Sequence, residues 1–229
     1  DEFLRALAGF LLQCLIQEFP DVVPEGCHAL GLRKTLRMEE FDASGEFKGT
    51  IRDFKANAKA RLASGGDVAL ECSMLNPAEG RKSVKATVTA SDTNVGALLA
   101  NELFGSVTAT ANVEAELGEG EPVMLKCGGQ IASVGLNGYD YNDIALVADL
   151  EDNRVAGLVS VNDEALKLDA QAILDFSDKE MPLYDAVMTI ENADLHAMNI
   201  NKRDSISVLS CDVGMSVRGA SLDEMNGML

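Results

Sequence analysis

The chain has no tryptophan, 5% aromatic residues and two histidines in 229 residues. Large compact cores lean on Phe, Leu and other bulky side chains. This composition therefore points to a thin structure with a narrow interior rather than a thick globule. The scarcity of aromatics also argues against a sugar-binding cleft. Cations are few: 19 Lys and Arg stand against 37 Asp and Glu, a net charge of −18. Phosphate backbones demand basic patches, so the balance argues against nucleic acid as a partner. It argues equally against docking on an anionic leaflet through a polybasic patch.

Other absences narrow the chemistry. No run of about 18 apolar residues occurs, so no helix is predicted to span a membrane. The five cysteines, at 14, 27, 72, 127 and 211, never fall two or three residues apart, so no zinc or redox motif is spelled. Their odd number leaves at least one unpaired, and Cys72 and Cys127 lie in strand patterns as small apolar residues. His28 and His196 have no Cys, Asp or Glu at ligand spacing and read as structural. There is no G-x-S-x-G elbow, no P-loop, and no G-x-G-x-x-G opening a helix. Gly118-Glu119-Gly120-Glu121 is acidic and would repel a phosphate. The acids Asp140, Asp143, Asp149, Glu151 and Asp152 lack a calcium-loop pattern, and alternation along a strand splits them between two faces. The expectation is a non-enzyme with no catalytic residue, no metal and no cofactor.

What is present is a period of two that returns between glycines. In Ser106–Leu117 one set reads Val107, Ala109, Ala111, Val113, Ala115 and Leu117; the other reads Ser106, Thr108, Thr110, Asn112, Glu114 and Glu116. Successive strand residues point to opposite faces, so this is a strand with one apolar and one wet face. Phe54, Ala56, Ala58, Ala60 and Leu62 alternate in the same way with Lys55, Asn57, Lys59 and Arg61. So do Val84, Ala86, Val88 and Ala90 with Lys85, Thr87 and Thr89. From about residue 41 to the end the chain reads as strands. Breaks are expected at Gly45, Gly65-Gly66, Asn76-Pro77, Gly118–Pro122, Gly128-Gly129, Asn137-Gly138, Asp152-Asn153 and Ser177–Glu180. Their spacing of roughly 8–20 residues is that of an all-β meander or solenoid. Asn137-Gly138 is the strongest tight turn, because both residues tolerate positive φ. The acidic outward faces keep such a sheet soluble and discourage edge pairing.

Two helices are predicted. Residues 3–19 carry Phe3, Leu4, Leu7, Leu11, Leu15 and Phe19 near one face, with Asp1 as cap and Pro20 as stop. So wide a stripe needs cover from the sheet, from a sheet end, or from lipid or a neighbouring segment. Thr93-Asn94 caps a second helix over Val95–Leu103, closed by Gly105, which plugs the sheet from one side. Asp194–Asn199 reads as a single turn. Pro20 and Pro24 start a linker, and Leu32, Leu36 and Met38 among Arg33, Lys34 and Arg37 read as a solvated strand edge. The domain reading is an N-terminal helix and linker over 1–40 and one continuous β-repeat region over 41–229. A faint repeat relates residues 44–54 to 217–225. The chain starts at Asp1 and reads as a piece of a longer protein.

Several stretches resemble the TamB family of envelope proteins, within the AsmA-like superfamily. Asn94-Val95-Gly96-Ala97-Leu98-Leu99 running into Phe104–Ala109 is similar to the family's short helix followed by a strand. Gly138–Leu146 resembles its G-Y-x-Y hairpin. Val155–Asp163 with Leu166–Phe176 resembles its paired strands, with Ala170 where Gly is usual. Ala193–Ile200 resembles its A-D-L-x-x-L-N-L stretch, with Met198 for Leu, and Arg218–Gly227 resembles its G-x-S-L-D-D repeat.

The resemblance covers about residue 40 to the end and implies a mostly β fold: a long curved antiparallel sheet folded into an open trough. It implies a periplasmic location, a parent anchored in the inner membrane, and a TamA-like or BamA-like barrel of the outer membrane as partner. The function it implies is movement of phospholipid between membranes, or assembly of outer-membrane proteins. The residues expected to line the groove for acyl chains are Phe54, Ala56, Ala58, Ala60, Leu62, Val84, Ala86, Val88, Val107, Ala109, Ala111, Val113, Ala115 and Leu117, joined by Ile144, Leu146, Leu166 and Leu168. The alternative is a scaffold that pairs an open edge with a nascent strand. A β-solenoid enzyme on acidic polysaccharide is disfavoured by charge and by the missing catalytic cluster.

Overall fold

A computed structural model describes residues 41–50, 53–78, 80–118, 124–178, 180–219 and 226–228. The helix predicted over 3–19, the linker, the basic stretch at 32–38 and His28 lie outside them, as does part of each copy of the faint repeat.

The strands are β1 (Phe41–Thr50), β2 (Asp53–Leu62), β3 (Asp67–Ala78), β4 (Arg81–Asn94), β5 (Phe104–Gly118) and β6 (Met124–Leu136). They continue as β7 (Tyr139–Glu151), β8 (Arg154–Asn162), β9 (Leu166–Asp175), β10 (Leu183–Asp194), β11 (Val208–Arg218) and β12 (Asn226–Met228). Each pairs antiparallel with the next in chain order, giving one 12-stranded sheet. β1 and β12 do not pair with each other, so the sheet is open and not a barrel. The described residues are mostly β, with almost no helix among them. At about 4.8 Å per strand the pairing direction extends for roughly 50 Å.

The single described helix, α1, is short and covers Val95–Leu99. The Asn94 side chain caps it by accepting from the Ala97 N–H at 3.0 Å. It ends earlier than the pattern predicts: Ala100 takes the left-handed conformation, and Gly105 lies inside β5 rather than closing a helix. α1 packs on the start of β5, where Gly96 lies against the Phe104 carbonyl.

The tight turn at Asn137-Gly138 forms as predicted, with φ of 54° and 74°, the positive pair a type I′ hairpin requires. Gly65-Gly66, Asp152-Asn153 and the segment after Asp175 are also connections. Three expected breaks are strand instead. Gly45 lies within β1, and Gly128-Gly129 within β6, where partners on both sides hold the backbone extended. Leu146 of β7 lies over Gly129, whose missing side chain makes the room: a Cβ there would stand 3.3 Å from the Leu146 Cγ. Asn76-Pro77 lies in β3, where the β3–β4 register is irregular between Leu75 and Ala78; such irregularity is where a strand tolerates proline.

Little is deeply buried. Among the described residues the buried apolar side chains are Ala56, Ala115, Val161, Ala165, Ala193 and Met198, and no large side chain is fully enclosed. This is the thin structure that the lack of aromatics predicts.

Candidate functional site

Residues directly opposite each other in an antiparallel pair share a face. Followed across the sheet, the register joins Gly45, Ala58, Leu70, Val88, Ala111, Gly129, Leu146, Val159, Ala170, Met188 and Val213 into one row. The next row toward β1's C-terminus is Phe47, Ala56, Cys72, Ala86, Val113, Cys127, Ala148, Gly157, Ala172, Ala186 and Met215. Beyond it lie Gly49, Phe54, Met74, Val84, Ala115, Leu125, Leu150, Val155, Leu174, Tyr184 and Val217. On the other side run Ala43, Ala60, Val68, Ala90, Ala109, Ile131, Ile144, Val161, Leu168, Ile190 and Cys211. The Tyr184 hydroxyl is the sole oxygen- or nitrogen-bearing side-chain group in these rows. Rows are spaced two residues apart along each strand, so together they form an apolar band roughly 20 Å wide.

All eighteen residues predicted for the groove fall on this face, because each set alternates along one strand and the register joins the sets. The prediction omitted β1, β3, β6, β8, β10 and β11. Val68, Leu70, Cys72 and Met74 alternate as plainly as their neighbours, so the signal was present in the sequence.

The opposite face is polar over β1–β6. Direct cross-strand partners pair there: Lys85 Nζ donates to Glu114 Oε1 at 2.9 Å, Arg61 Nε to Asp67 Oδ1 at 2.9 Å, and Thr87 Oγ1 to Asn112 Oδ1 at 2.8 Å. Over β7–β10 it is mixed, with apolar side chains set among charged and polar ones. Val147, Leu158 and Val187 are each more than half exposed. They line an open depression of about 480 Å³ with Ala145, Ser160, Asp169, Gln171 and Thr189. Valines compare the faces directly: Val161, Val88 and Val159 on the apolar face are 8%, 39% and 40% exposed, against 51% and 56% for Val147 and Val187. The continuous apolar face is therefore the more covered of the two.

At one rim this face runs into a small enclosed cluster. Ala165, Ala193 and Met198 are buried together, with Tyr139, Tyr141, Leu166, Ile190 and Leu195 packed around them. The β10–β11 connection builds it. Asp194 Oδ1 accepts from the N–H groups of His196 and Ala197, both at 3.0 Å, and forms the single turn that the sequence predicts. The connection then crosses the ends of β8 and β9 to the β6–β7 turn. Four strand spacings, roughly 19 Å, would separate these turns on a flat sheet; instead Asn137 and Asn199 exchange hydrogen bonds. Beneath, Asp163 is 3% exposed. Its carboxylate accepts from the Tyr139 hydroxyl at 2.6 Å, Asn142 N at 3.0 Å, Asn142 Nδ2 at 3.1 Å and Ala165 N at 2.8 Å. Burial works against its charge, but these donors outweigh it and hold the carboxyl below the usual range. Burial, reinforced by Asp163, pushes the Tyr139 hydroxyl up to about 12. Every acceptor position is used by a structural donor, so the group reads as a rim clasp rather than a reactive acid.

His196 Nδ1 lies 3.2 Å from the Asn201 carbonyl within the same connection. Among the described residues no three His, Cys, Asp or Glu side chains gather to hold a metal, and no helix is long and apolar enough to cross a membrane. Cys72, Cys127 and Cys211 are free thiols on the apolar face. Comparison with protein-family models, with curated proteins and with solved structures finds no match to this chain.

Proposed function

We propose that this chain is a non-enzymatic lipid-holding sheet, whose apolar face carries phospholipid acyl chains along the pairing direction. The observation that carries this reading is the set of rows crossing eleven strands without a charged or amide side chain. Many of its members are Ala and Gly, which leave space above the backbone. An acyl chain filling that space gains about 0.8 kcal/mol per buried methylene. The contacts are non-directional, so a chain can slide along a row without meeting a deep trap. The motifs that resemble the TamB family favour a periplasmic setting for this activity, between the inner membrane and a TamA-like or BamA-like barrel.

The test is native mass spectrometry of the purified chain with lipid extraction, together with uptake of a fluorescent fatty acid. Bound phospholipid at defined stoichiometry and saturable uptake support the reading. A lipid-free chain with no uptake overturns it. In that case the scaffold reading gains, because β1 and β12 each have one described neighbour and leave an edge for strand addition.

A further inference from the structure

The β10–β11 connection bears the most exposed large apolar side chain of the described residues. Ile206 is 86% exposed and Ile200 61%, and Val208, which opens β11 at the loop's end, is 61% exposed. The loop that carries them is held by its own hydrogen bonds. Asn201 Nδ2 donates to Asp204 Oδ2 at 3.2 Å and to Ser207 Oγ at 3.1 Å, and Arg203 N donates to Asn201 Oδ1 at 3.1 Å. At its base Leu195 N donates to the Ser207 carbonyl at 2.8 Å. These bonds tie the loop's backbone and Asn201 together, while the branched side chains of Ile200 and Ile206 stand in water. Lys202 and Arg203, both exposed, flank them, with Asp204 as the acid in the tip.

We propose that this tip docks the protein on a phospholipid bilayer, laying Ile200, Ile206 and Val208 into the interface with Lys202 and Arg203 reaching the lipid phosphates. Apolar side chains on a held loop enter the headgroup boundary by the hydrophobic effect, and flanking cations snorkel to phosphate. The net charge of −18 argues against an electrostatic dock; this one is apolar with a cationic collar, a different mechanism. A second copy or a protein partner fits less well. A stable protein interface needs about 800 Å² per partner, which a tip with three exposed apolar side chains does not offer. The tip is also continuous with the apolar face, since Leu195 and Met198 of the same connection pack in the rim cluster. Docking would set that rim against the source of lipid.

The inference extends the acyl-chain reading and is measured separately, by flotation of the full chain with vesicles of phosphatidylethanolamine and phosphatidylglycerol. The expected result is flotation of the unmodified chain. Ile206→Asp should lower the partition coefficient about tenfold or more, as loss of one buried isoleucine predicts. Lys202→Glu with Arg203→Glu should also lower it, and Leu158→Ser on the polar-face depression should leave it unchanged. Ile206 is exposed, so circular dichroism should show its variant folded. A chain that stays with the protein fraction overturns the proposal, as does equal flotation of all variants. Fatty-acid uptake without flotation retains the acyl-chain reading and overturns the dock; flotation without uptake does the reverse.

Discussion

Asn137 and Asn199, 62 residues apart, clasp each other backbone to side chain. Asn137 Nδ2 donates to the Asn199 carbonyl at 3.1 Å, and Asn199 Nδ2 donates to the Asn137 carbonyl at 3.1 Å. A third bond runs from Asn199 Nδ2 to the Gly138 carbonyl, also at 3.1 Å. The pair ties the β10–β11 connection to the β6–β7 turn and closes the rim over Met198.

Asn199 has φ of 60°, so its substitution separates two effects. Asn199→Gly keeps the conformation and loses the side-chain bonds; Asn199→Ala loses the bonds and also pays for the left-handed backbone, about 1 kcal/mol more. Urea denaturation should rank the chains unmodified, then Gly, then Ala. Equal stability of all three would mean that the clasp contributes nothing.

Asp163 predicts the acid limb of stability. Its carboxyl titrates lower in the folded chain than in the unfolded one, so its contribution is present above the ordinary carboxylate range and is lost as pH falls through the folded value. Asp163→Asn should lower stability at pH 7 and flatten the decline below about pH 4. Tyr139 has the opposite sign. Its hydroxyl is raised to about 12, so its contribution is full below pH ~10 and fades as pH rises toward 12. Tyr139→Phe should flatten that alkaline decline. Thermal melts across pH check both.

Gly135 and Gly105 meet where β5 and β6 approach closely. A Cβ on Gly135 would fall 2.9 Å from the Gly105 Cα and 3.1 Å from Asp140 Oδ1. Gly135→Ala should cost about 1–3 kcal/mol through overpacking. At Gly214 of β11 nothing lies within 4 Å of the added Cβ. Gly214→Ala should be neutral or stabilising by up to about 1 kcal/mol, through the unfolded chain. Chemical denaturation of the pair decides; equal losses would refute the close-packing argument.

Ala111 lies mid-sheet on the apolar face and is solvent-exposed, whereas exposed Gln130 lies on the opposite face of the neighbouring strand. Ala111→Arg should abolish fatty-acid uptake in a folded chain, and Gln130→Arg should leave it intact. Uptake that survives Ala111→Arg would remove this face from the function.

The strands and their apolar sides were readable in advance because alternation is a local property: two neighbouring residues decide which face each occupies. Asn137-Gly138 was readable for the same reason, since the turn needs only those two residues' tolerance of positive φ. Glycine misled where neighbours outweighed local propensity. Gly128 and Gly129 are strand because β5 and β7 pin them on both sides and Leu146 fills the space above. Alternation predicts one extended apolar surface, but not which residues of successive strands line up in each uninterrupted row. That depends on register, which turns and bulges set pair by pair. The clasp of Asn137 with Asn199, the buried Asp163 under Tyr139, and the outward Ile206 rest on where one long connection folds back across two strands. The sequence marks the single turn at Asp194–Asn199 that starts this path but not where the path leads, because its hydrogen bonds to Asn137 and Gly138 join residues that are distant in the chain and become neighbours only when the sheet has formed.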